Sequence, residues 1–388
     1  MRITFVLPSV NLSGGIRVAA IYAQELAQRG HTVRLVSRPP RALSNADKIK
    51  SVLRGNGWPA PRPNVSHLDG TGLDHRVVDR WRPINDADVP DGDVVIATWW
   101  ETAEWVSALS PSKGAKVYFV QHHEVHPHLP LARVRATYRA PMHKIVVARW
   151  LKHVMADAYG DATVDLVPNS VDHAQFFAAP RRKQAVPTAG FLYSRAAFKG
   201  VDVALSALER VRQRLPELRL IAFGSQPPNR DAPLPDNAEF TLRPAQNSIR
   251  DIYAACDVWV TASRSEGFNL PAMEAMACRA PVVATRTGWP EEAVVTGHNG
   301  VLVDVDDVAG LAQGVEWVLT QDTGEWRRLS ENACATVAES SWQKSAEMFE
   351  AALEHACCRA DLGEVGGGAR QAAQSGAKQR LEASPRRS

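Results

Sequence analysis

The chain has 388 residues, enough for two or three domains with large apolar cores, and 45% hydrophobic with 22% charged residues is typical of a globular protein in water. A net charge of +3 is too small to predict nucleic-acid binding. Five cysteines without metal-site spacing indicate reduced thiols and a cytoplasmic location, and no apolar run is long enough for a signal peptide or a membrane span.

The first forty residues predict a parallel β-α-β unit. Ile3 to Leu7 is a continuous apolar strand, Ser13-Gly-Gly15 opens a helix predicted from Ile16 to Gln28, and Thr32 to Ser37 is the second strand. The turn lacks the full Gly-x-Gly-x-x-Gly spacing and the acidic residue that follows it in dinucleotide-binding folds. The residues alone therefore leave two interpretations open, a ligand-binding loop or a tight turn.

Pro39 to Pro90 is rich in Pro, Gly and Asp and predicts short helices and loops. The Asp-x-Asp pairs at Asp86 and Asp91 precede the predicted strand Asp93 to Thr98. Ligands of α/β folds bind after the strands, at their carboxyl ends. We therefore expect no metal site at these pairs.

His122, His123 and Glu124 directly follow the predicted strand Lys116 to Gln121. Their spacing does not match a helical zinc motif, so we expect polar contacts at a strand end rather than a metal centre. A structural histidine bonded to a backbone carbonyl is the alternative.

A basic stretch runs from Arg133 to Lys152, with six cations interleaved with apolar residues. Charge runs of this kind usually form a solvated face. Weak contact with an anionic membrane surface is the second interpretation.

A second α/β region begins after the charged linker Pro180 to Pro187, with a strand at Gly190 to Tyr193. Arg195 and Lys199 follow this strand and precede a helix, where cations and a helix N-terminus suit a phosphate group. The residues alone favour the alternative, that both are ordinary surface charges.

The segment from Ser263 to Thr285 predicts a loop, a helix and a strand after the buried run Asp257 to Ala262. The helix starts near Asn269 and stops near Arg279, because Pro281 cannot continue it. Its N-terminus favours an anionic ligand, and the carboxylates of Glu266 and Glu274 suit sugar hydroxyls. The alternative is that Glu274 complements the helix dipole and Glu266 is a solvated charge.

Glu266-Gly-Phe-Asn-Leu-Pro-Ala-Met-Glu274 followed by Pro281-Val-Val-Ala resembles the signature of retaining glycosyltransferases of family 4, in glycosyl transferases group 1. The resemblance implies that Glu266 binds the transferred sugar and Glu274 the nucleotide ribose. The loop amides of Gly267 and Phe268 would meet the diphosphate. Asn269 stands where Gly is common, and Arg279 stands near the usual Gly at the helix end, where a left-handed backbone would cost about 1 to 2 kcal/mol.

The resemblance covers the chain to about Cys357 and implies further roles. It places His122 beside the transferred sugar, as one of four catalytic candidates with Glu266, Arg195 and Lys199. The remaining donor-binding candidates complete the set: Gly15 near the donor phosphates, Arg195 and Lys199 on the diphosphate, Asn269 in the loop after Phe268, and Arg243 beside the base.

The predicted architecture is GT-B, two doubly wound Rossmann-like domains facing across a cleft. We expect an acceptor-side domain at 1–175, a nucleotide-sugar-binding domain at 188–341, a cross-over helix at 342–358 and a disordered basic tail at 360–388.

The predicted activity is retaining transfer of a sugar from a nucleoside diphosphate donor to an acceptor hydroxyl. The resemblance implies that no metal and no cofactor take part. Peripheral contact with the inner membrane face stays open. A nucleotide-sugar epimerase of the same fold and a non-catalytic nucleotide-sugar-binding module are the alternatives.

Overall fold

The structure, a computed structural model, describes residues 1–41, 45–53, 58, 65–230 and 232–367. The chain divides into two compact units. The first comprises the described parts of Met1–Val146, Val154–Asp165 and Ala346–Ser388, and the second comprises Val147–His153 and Leu166–Ser345. The predicted domain limits stay predictions.

The first unit is built on a 7-stranded parallel sheet in the order β3-β2-β1-β4-β5-β6-β7. Its central strands are continuous apolar runs because both faces of the sheet are covered by helices. The strands are β1 Arg2–Ser9, β2 Thr32–Arg38, β3 Asp74–Val77, β4 Val94–Ala97, β5 Ala115–Val120, β6 His143–Val146 and β7 Asp165–Leu166. The intervening helices are α1 Gly14–Gln28, α2 Asn45–Leu53, α3 Trp100–Ala108, α4 Leu131–Arg139 and α5 Arg149–Tyr159.

The second unit has a 6-stranded parallel sheet in the order β10-β9-β8-β11-β12-β13. Its strands are β8 Thr188–Leu192, β9 Arg219–Gly224, β10 Ala238–Leu242, β11 Val258–Thr261, β12 Val282–Thr285 and β13 Gly300–Val303. The helices are α6 Val201–Arg214, α7 Ile249–Ala254, α8 Leu270–Ala277, α9 Trp289–Ala293, α10 Val308–Thr320 and α11 Thr323–Val337.

Strand order reverses in both sheets, and this reversal positions the site. The chain builds outward from β1 through β2 to β3, then returns to add β4 on the other side of β1. The same happens at β8 and β11 in the second unit. Loops at the carboxyl ends of the strands diverge at such a point and leave a crevice for a ligand.

The last helix, α12 Trp342–Asp361, extends past the predicted end at 358. Phe349 from this helix contacts Tyr22 and Phe119 in the first unit, with ring centroids 4.4 and 5.0 Å apart. The chain stays ordered beyond it, because Val365 is buried and Gly366 exchanges backbone hydrogen bonds with the sheet region of the first unit. The prediction that the tail begins at 360 is therefore wrong for 360–367, and 368–388 lie outside the described residues.

The basic stretch 133–152 is not one amphipathic helix, since it spans α4, β6 and the start of α5. Lys144 lies in β6, where it is buried and paired with Asp161 at 2.8 Å. Arg133 pairs with Glu104. Within the described residues, no helix combines the length and the apolar character needed to cross a bilayer. Contact with a membrane surface stays a prediction.

Candidate active site

Lys199 is held at the carboxyl end of β8 by a turn that only glycine permits. Residues Ala197–Lys199 form a 3₁₀ turn, and Gly200 then adopts a left-handed conformation with φ 59° and ψ 32°. A Cβ at Gly200 would lie 1.9 Å from the carbonyl oxygen of Ala262, which follows β11. The missing side chain therefore lets the turn after β8 approach the end of β11.

The two strand ends meet through an ion pair between Lys199 and Glu266. Lys199 Nζ lies 2.7 Å from Oε1 and 2.9 Å from Oε2 of Glu266. Ser263 Oγ donates a third hydrogen bond to Oε1, at 2.6 Å. The Glu266 side chain is 7% exposed and the Lys199 side chain 23%, so the carboxylate depends on these donors while the ammonium retains access to solvent.

These groups line a cavity together with Asn269 and the buried strand residues Phe191 and Trp259. An ammonium has three donor hydrogens and a carboxylate about four acceptor positions. Two ammonium hydrogens and three acceptor positions are used within the protein. The pair can therefore offer one donor to an anionic group and an acceptor to a hydroxyl.

Helix α8 begins beside Glu266, with Asn269 as its N-cap. Asn269 has φ 83°, a left-handed conformation that Asn tolerates better than most residues. Its Oδ1 accepts a hydrogen bond from Ala272 N, and its Nδ2 donates to Thr261 Oγ1 at 2.9 Å. Phe268 is buried and stacks on Trp289, with ring centroids 5.7 Å apart. The loop is thus fixed on both sides, with the helix N-terminus next to the ion pair.

Glu274 is held separately from the ion pair. It lies in α8, is 4% exposed, and accepts a hydrogen bond from the Tyr253 hydroxyl of α7 at 2.8 Å. Glu274 does not line the Lys199 cavity described above. Its implied role at the nucleotide ribose stays a prediction.

Arg195 and Arg243 lie outside the cavity and are bound to backbone carbonyls. Arg195 Nε donates to Pro227 O, and Arg243 Nε donates to Ser225 O, both at 2.9 Å. Both side chains are exposed. The structure therefore brings Lys199, Glu266 and Asn269 together but leaves the two arginines on neighbouring loops of the same unit.

In the first unit, Gly15 and His122 follow strands β1 and β5 at the carboxyl edge of the sheet. The helix α1 begins at Gly14, two residues earlier than predicted. A Cβ at Gly15 would lie 3.6 Å from the side chain of Gln121, the neighbour of His122. The loops carrying the two predicted residues are therefore adjacent within this unit.

The neighbours of His122 have structural partners. His123 Nε2 lies 2.7 Å from the Tyr159 hydroxyl, and burial, with a smaller effect from nearby His122, lowers the pKa of His123 to about 4. Glu124 accepts a hydrogen bond from Trp100 N at 2.8 Å, and burial raises the pKa of its carboxyl well above the usual range. These two side chains anchor the loop on which His122 lies.

A family comparison matches part of the second unit. Residues 183–321, which contain Lys199, Glu266 and Glu274, match the sequence profile described as Glycosyl transferases group 1. This part of the chain is a glycosyl transferases group 1 domain. The predicted group is thereby confirmed, whereas the assignment to family 4 stays a prediction.

Curated relatives also include glycosyltransferases. D-inositol 3-phosphate glycosyltransferase of Stackebrandtia nassauensis is 30% identical over 208 residues, covering 47% of each chain. The enzyme of the same name from Acidothermus cellulolyticus is 26% identical and covers 88% of this chain and 85% of its own. Among the relatives that are 30% or more identical, the matched region spans at most about half of the relative's length.

Solved structures show the fold. Anabaena Alr3699/HepE, solved in complex with UDP-glucose, has a TM-score of 0.67 at 17% identity and covers 92% of this chain and 100% of its own. The neighbours are GT-B glycosyltransferases, so the predicted GT-B fold class with two Rossmann-like sheets is confirmed. At this identity the similarity shows the fold alone.

Sequence reasoning missed three residues that position the group 1 domain's ion pair and second glutamate. They are Gly200, which lets Lys199 approach; Ser263, which donates to Glu266; and Tyr253, which donates to Glu274. Two of them had a readable signal, because Gly200 follows Lys199 directly and Ser263 precedes Glu266 by three residues. Tyr253 lies on another helix, 21 positions from its partner.

Proposed function

We propose that the protein is a retaining glycosyltransferase that moves a sugar from a nucleoside diphosphate donor to an acceptor hydroxyl. The observation that carries this proposal is the Lys199–Glu266 pair beside the N-terminus of α8, at the switch point of the second sheet. The group 1 profile and a structural neighbour solved with UDP-glucose support it.

In this proposal the second unit binds the donor. The third hydrogen of the Lys199 ammonium contacts a diphosphate oxygen, and the backbone amides of Gly267, Phe268 and Asn269 meet the same group at the helix N-terminus. Glu266 accepts hydrogen bonds from hydroxyls of the transferred sugar. Arg195 adds charge to the diphosphate if its side chain leaves Pro227 O, and Arg243 lies beside the base.

The proposed step breaks the bond between the anomeric carbon and the phosphate oxygen. The acceptor oxygen bonds to the same carbon on the same face, and its proton goes to the departing diphosphate. Lys199 and the loop amides stabilise the negative charge that develops there. We propose that no divalent metal is needed for this charge. His122 would contact the transferred sugar. The cytoplasmic location stays a prediction.

The proposal is tested by screening nucleotide sugars for thermal stabilisation, since a ligand of the folded state raises the apparent melting temperature. UDP-glucose is the first donor to test. The stabilising donor is then incubated with EDTA, with and without acceptor alcohols and sugars, and nucleoside diphosphate release is followed. Acceptor-dependent release supports the proposal. A changed sugar without acceptor indicates an epimerase, and binding without turnover indicates a binding module.

A further inference from the structure

Two histidines and one aspartate meet in the first unit, at the amino end of the last two strands. His143 begins β6, Asp165 begins β7 and His355 lies on α12; we call this set the edge cluster. One nitrogen or oxygen atom from each residue lies within 4.8 Å of the others. Within this unit the edge cluster lies at the amino edge of the sheet, whereas His122 follows the carboxyl edge.

A single carboxylate oxygen faces both imidazole rings. Asp165 Oδ2 lies 2.9 Å from His355 Nδ1 and 3.0 Å from His143 Nε2, and the ring centroids are 5.0 Å apart. The His143 side chain is fully buried, and its Nε2 has no hydrogen bond of good geometry among the described residues. A buried polar atom in this state is destabilising unless another group satisfies it.

We propose that the edge cluster binds one Zn²⁺ ion through His143 Nε2, His355 Nδ1 and an oxygen of Asp165, with water as the fourth ligand. Imidazole and carboxylate groups are ligands that zinc accepts, and three protein ligands with an open fourth position form a known zinc geometry. With bonds of about 2.0 to 2.2 Å, tetrahedral ligand atoms are about 3.3 to 3.6 Å apart. Zinc binding therefore requires the three ligand atoms to adjust, and the His355 ring, which is 48% exposed, has room to rotate.

Arg359 opposes zinc binding at the edge cluster, so its removal is expected to tighten binding. Its Nη1 lies 3.2 Å from His143 Nδ1, and because arginine only donates, the neutral ring carries its proton on Nε2. Zinc at Nε2 requires the tautomer with the proton on Nδ1, so the guanidinium must turn away. Its Nε donates to Glu364 at 2.9 Å, a contact that the guanidinium can keep when Nη1 leaves the ring. The positive charge of Arg359 also repels the ion.

Zinc at the edge cluster would connect α12 to the sheet across 190 positions of the chain. The expected consequence is stabilisation of the first unit, because an ion that binds the folded state shifts the unfolding equilibrium. This inference does not depend on the proposed function, and the ion has no part in sugar transfer.

The test is a zinc titration of the full chain, stripped with EDTA and free of any affinity tag, in competition with a chromogenic chelator. We expect one equivalent of zinc and a higher melting temperature with zinc. His355→Ala should weaken binding at least tenfold. His298→Ala, a matched change at an exposed histidine of the second unit, should leave binding unchanged. Arg359→Ala should tighten binding at least threefold.

Several results would overturn the proposal. They are no zinc binding by the wild type, equal affinity in His355→Ala, or weaker binding in Arg359→Ala. Because Cys358 is exposed on the same helix, Cys358→Ser is included, and loss of binding in that variant alone would identify a thiolate adduct instead. If His355→Ala does not fold, Asp165→Asn with Co²⁺ absorption replaces it, and an unchanged spectrum contradicts the proposal.

Discussion

Replacing Lys199 by Met tests the ion pair that the proposed reaction requires. The Glu266 carboxylate is 7% exposed and, among the described residues, would keep only the Ser263 hydroxyl as a side-chain donor. Breaking a fully buried pair costs about 3 to 5 kcal/mol, and because the Lys199 ammonium is 23% exposed we expect about 2 kcal/mol of lost stability. Loss of one preorganised donor to the diphosphate should lower kcat by roughly 10² to 10³-fold.

The matched control is Lys344→Met. Lys344 also pairs with a glutamate, Glu339 at 3.3 Å, but the two side chains are 61% and 96% exposed. Exposed pairs contribute about 0 to 1 kcal/mol, so this variant should behave like the wild type. Denaturant unfolding gives the stability change, and initial rates at saturating donor give kcat. A Lys199→Met enzyme with kcat within threefold of the control would refute the assigned role.

Three further predictions use individual contacts. Gly200→Ala should lower the free energy of unfolding by about 2 to 5 kcal/mol through backbone strain and overpacking. Gly160→Ala, with φ 71° and no atom within 4 Å of the added Cβ, should cost only the strain, about 1 to 2 kcal/mol. Equal losses in denaturant melts would contradict the predicted clash between the Cβ at position 200 and the carbonyl oxygen of Ala262. Burial raises the pKa of Glu124 above its usual value of 4.5, so the stability of the wild type should fall as the pH rises from 4.5 towards the folded-state pKa. The slope is at most about 1.4 kcal/mol per pH unit. Glu124→Gln should remove this slope in urea melts between pH 5 and 8, and parallel profiles for the two proteins would show the prediction to be wrong. Tyr253→Phe removes a hydrogen bond to Glu274 and should lower the free energy of unfolding by about 1.5 to 3 kcal/mol. Calorimetry should also show weaker binding of the nucleoside diphosphate. Unchanged affinity would argue against a role for Glu274 in binding the sugar nucleotide.

The central strands and the site loop of the second unit were predictable because their signals are local. Val258–Thr261 and Val282–Thr285 are short apolar runs bounded by turn residues, and Pro271 marks the first turn of α8. Arg279, which stands near the usual Gly at the helix end, adopts a left-handed backbone with φ 65° despite its side chain. Each of these features depends on residues within a few positions of one another.

Other elements carried weaker or unused signals. Strand β3 reads Asp-His-Arg-Val and lies at the sheet edge, so it lacks the apolar run that identifies buried strands. Helix α11 has a local signal in the sequence, because Asp322 caps it and Trp326 and Leu329 begin a buried stripe at helical spacing. Within the basic stretch 133–152, no local pattern indicates that Lys144 is buried, because its partner Asp161 lies 17 positions away in the chain.

The candidate site itself was predicted in part. Lys199 and Glu266 are 67 positions apart, and only the pairing of β8 with β11 brings them together. No sequence pattern could show that Glu274 bonds to Tyr253, or that Arg195 turns towards Pro227. Such contacts depend on tertiary packing, which residue spacing does not encode.

The most direct test of glycosyl transfer with retention is a proton NMR spectrum of the product formed from the donor found by thermal screening. The anomeric coupling constant reports the configuration at the transferred carbon. The wild type should give a glycoside with the configuration of the donor, and Glu266→Gln should give little or none. An inverted glycoside, or an epimerised nucleotide sugar in place of a glycoside, would contradict the proposed reaction.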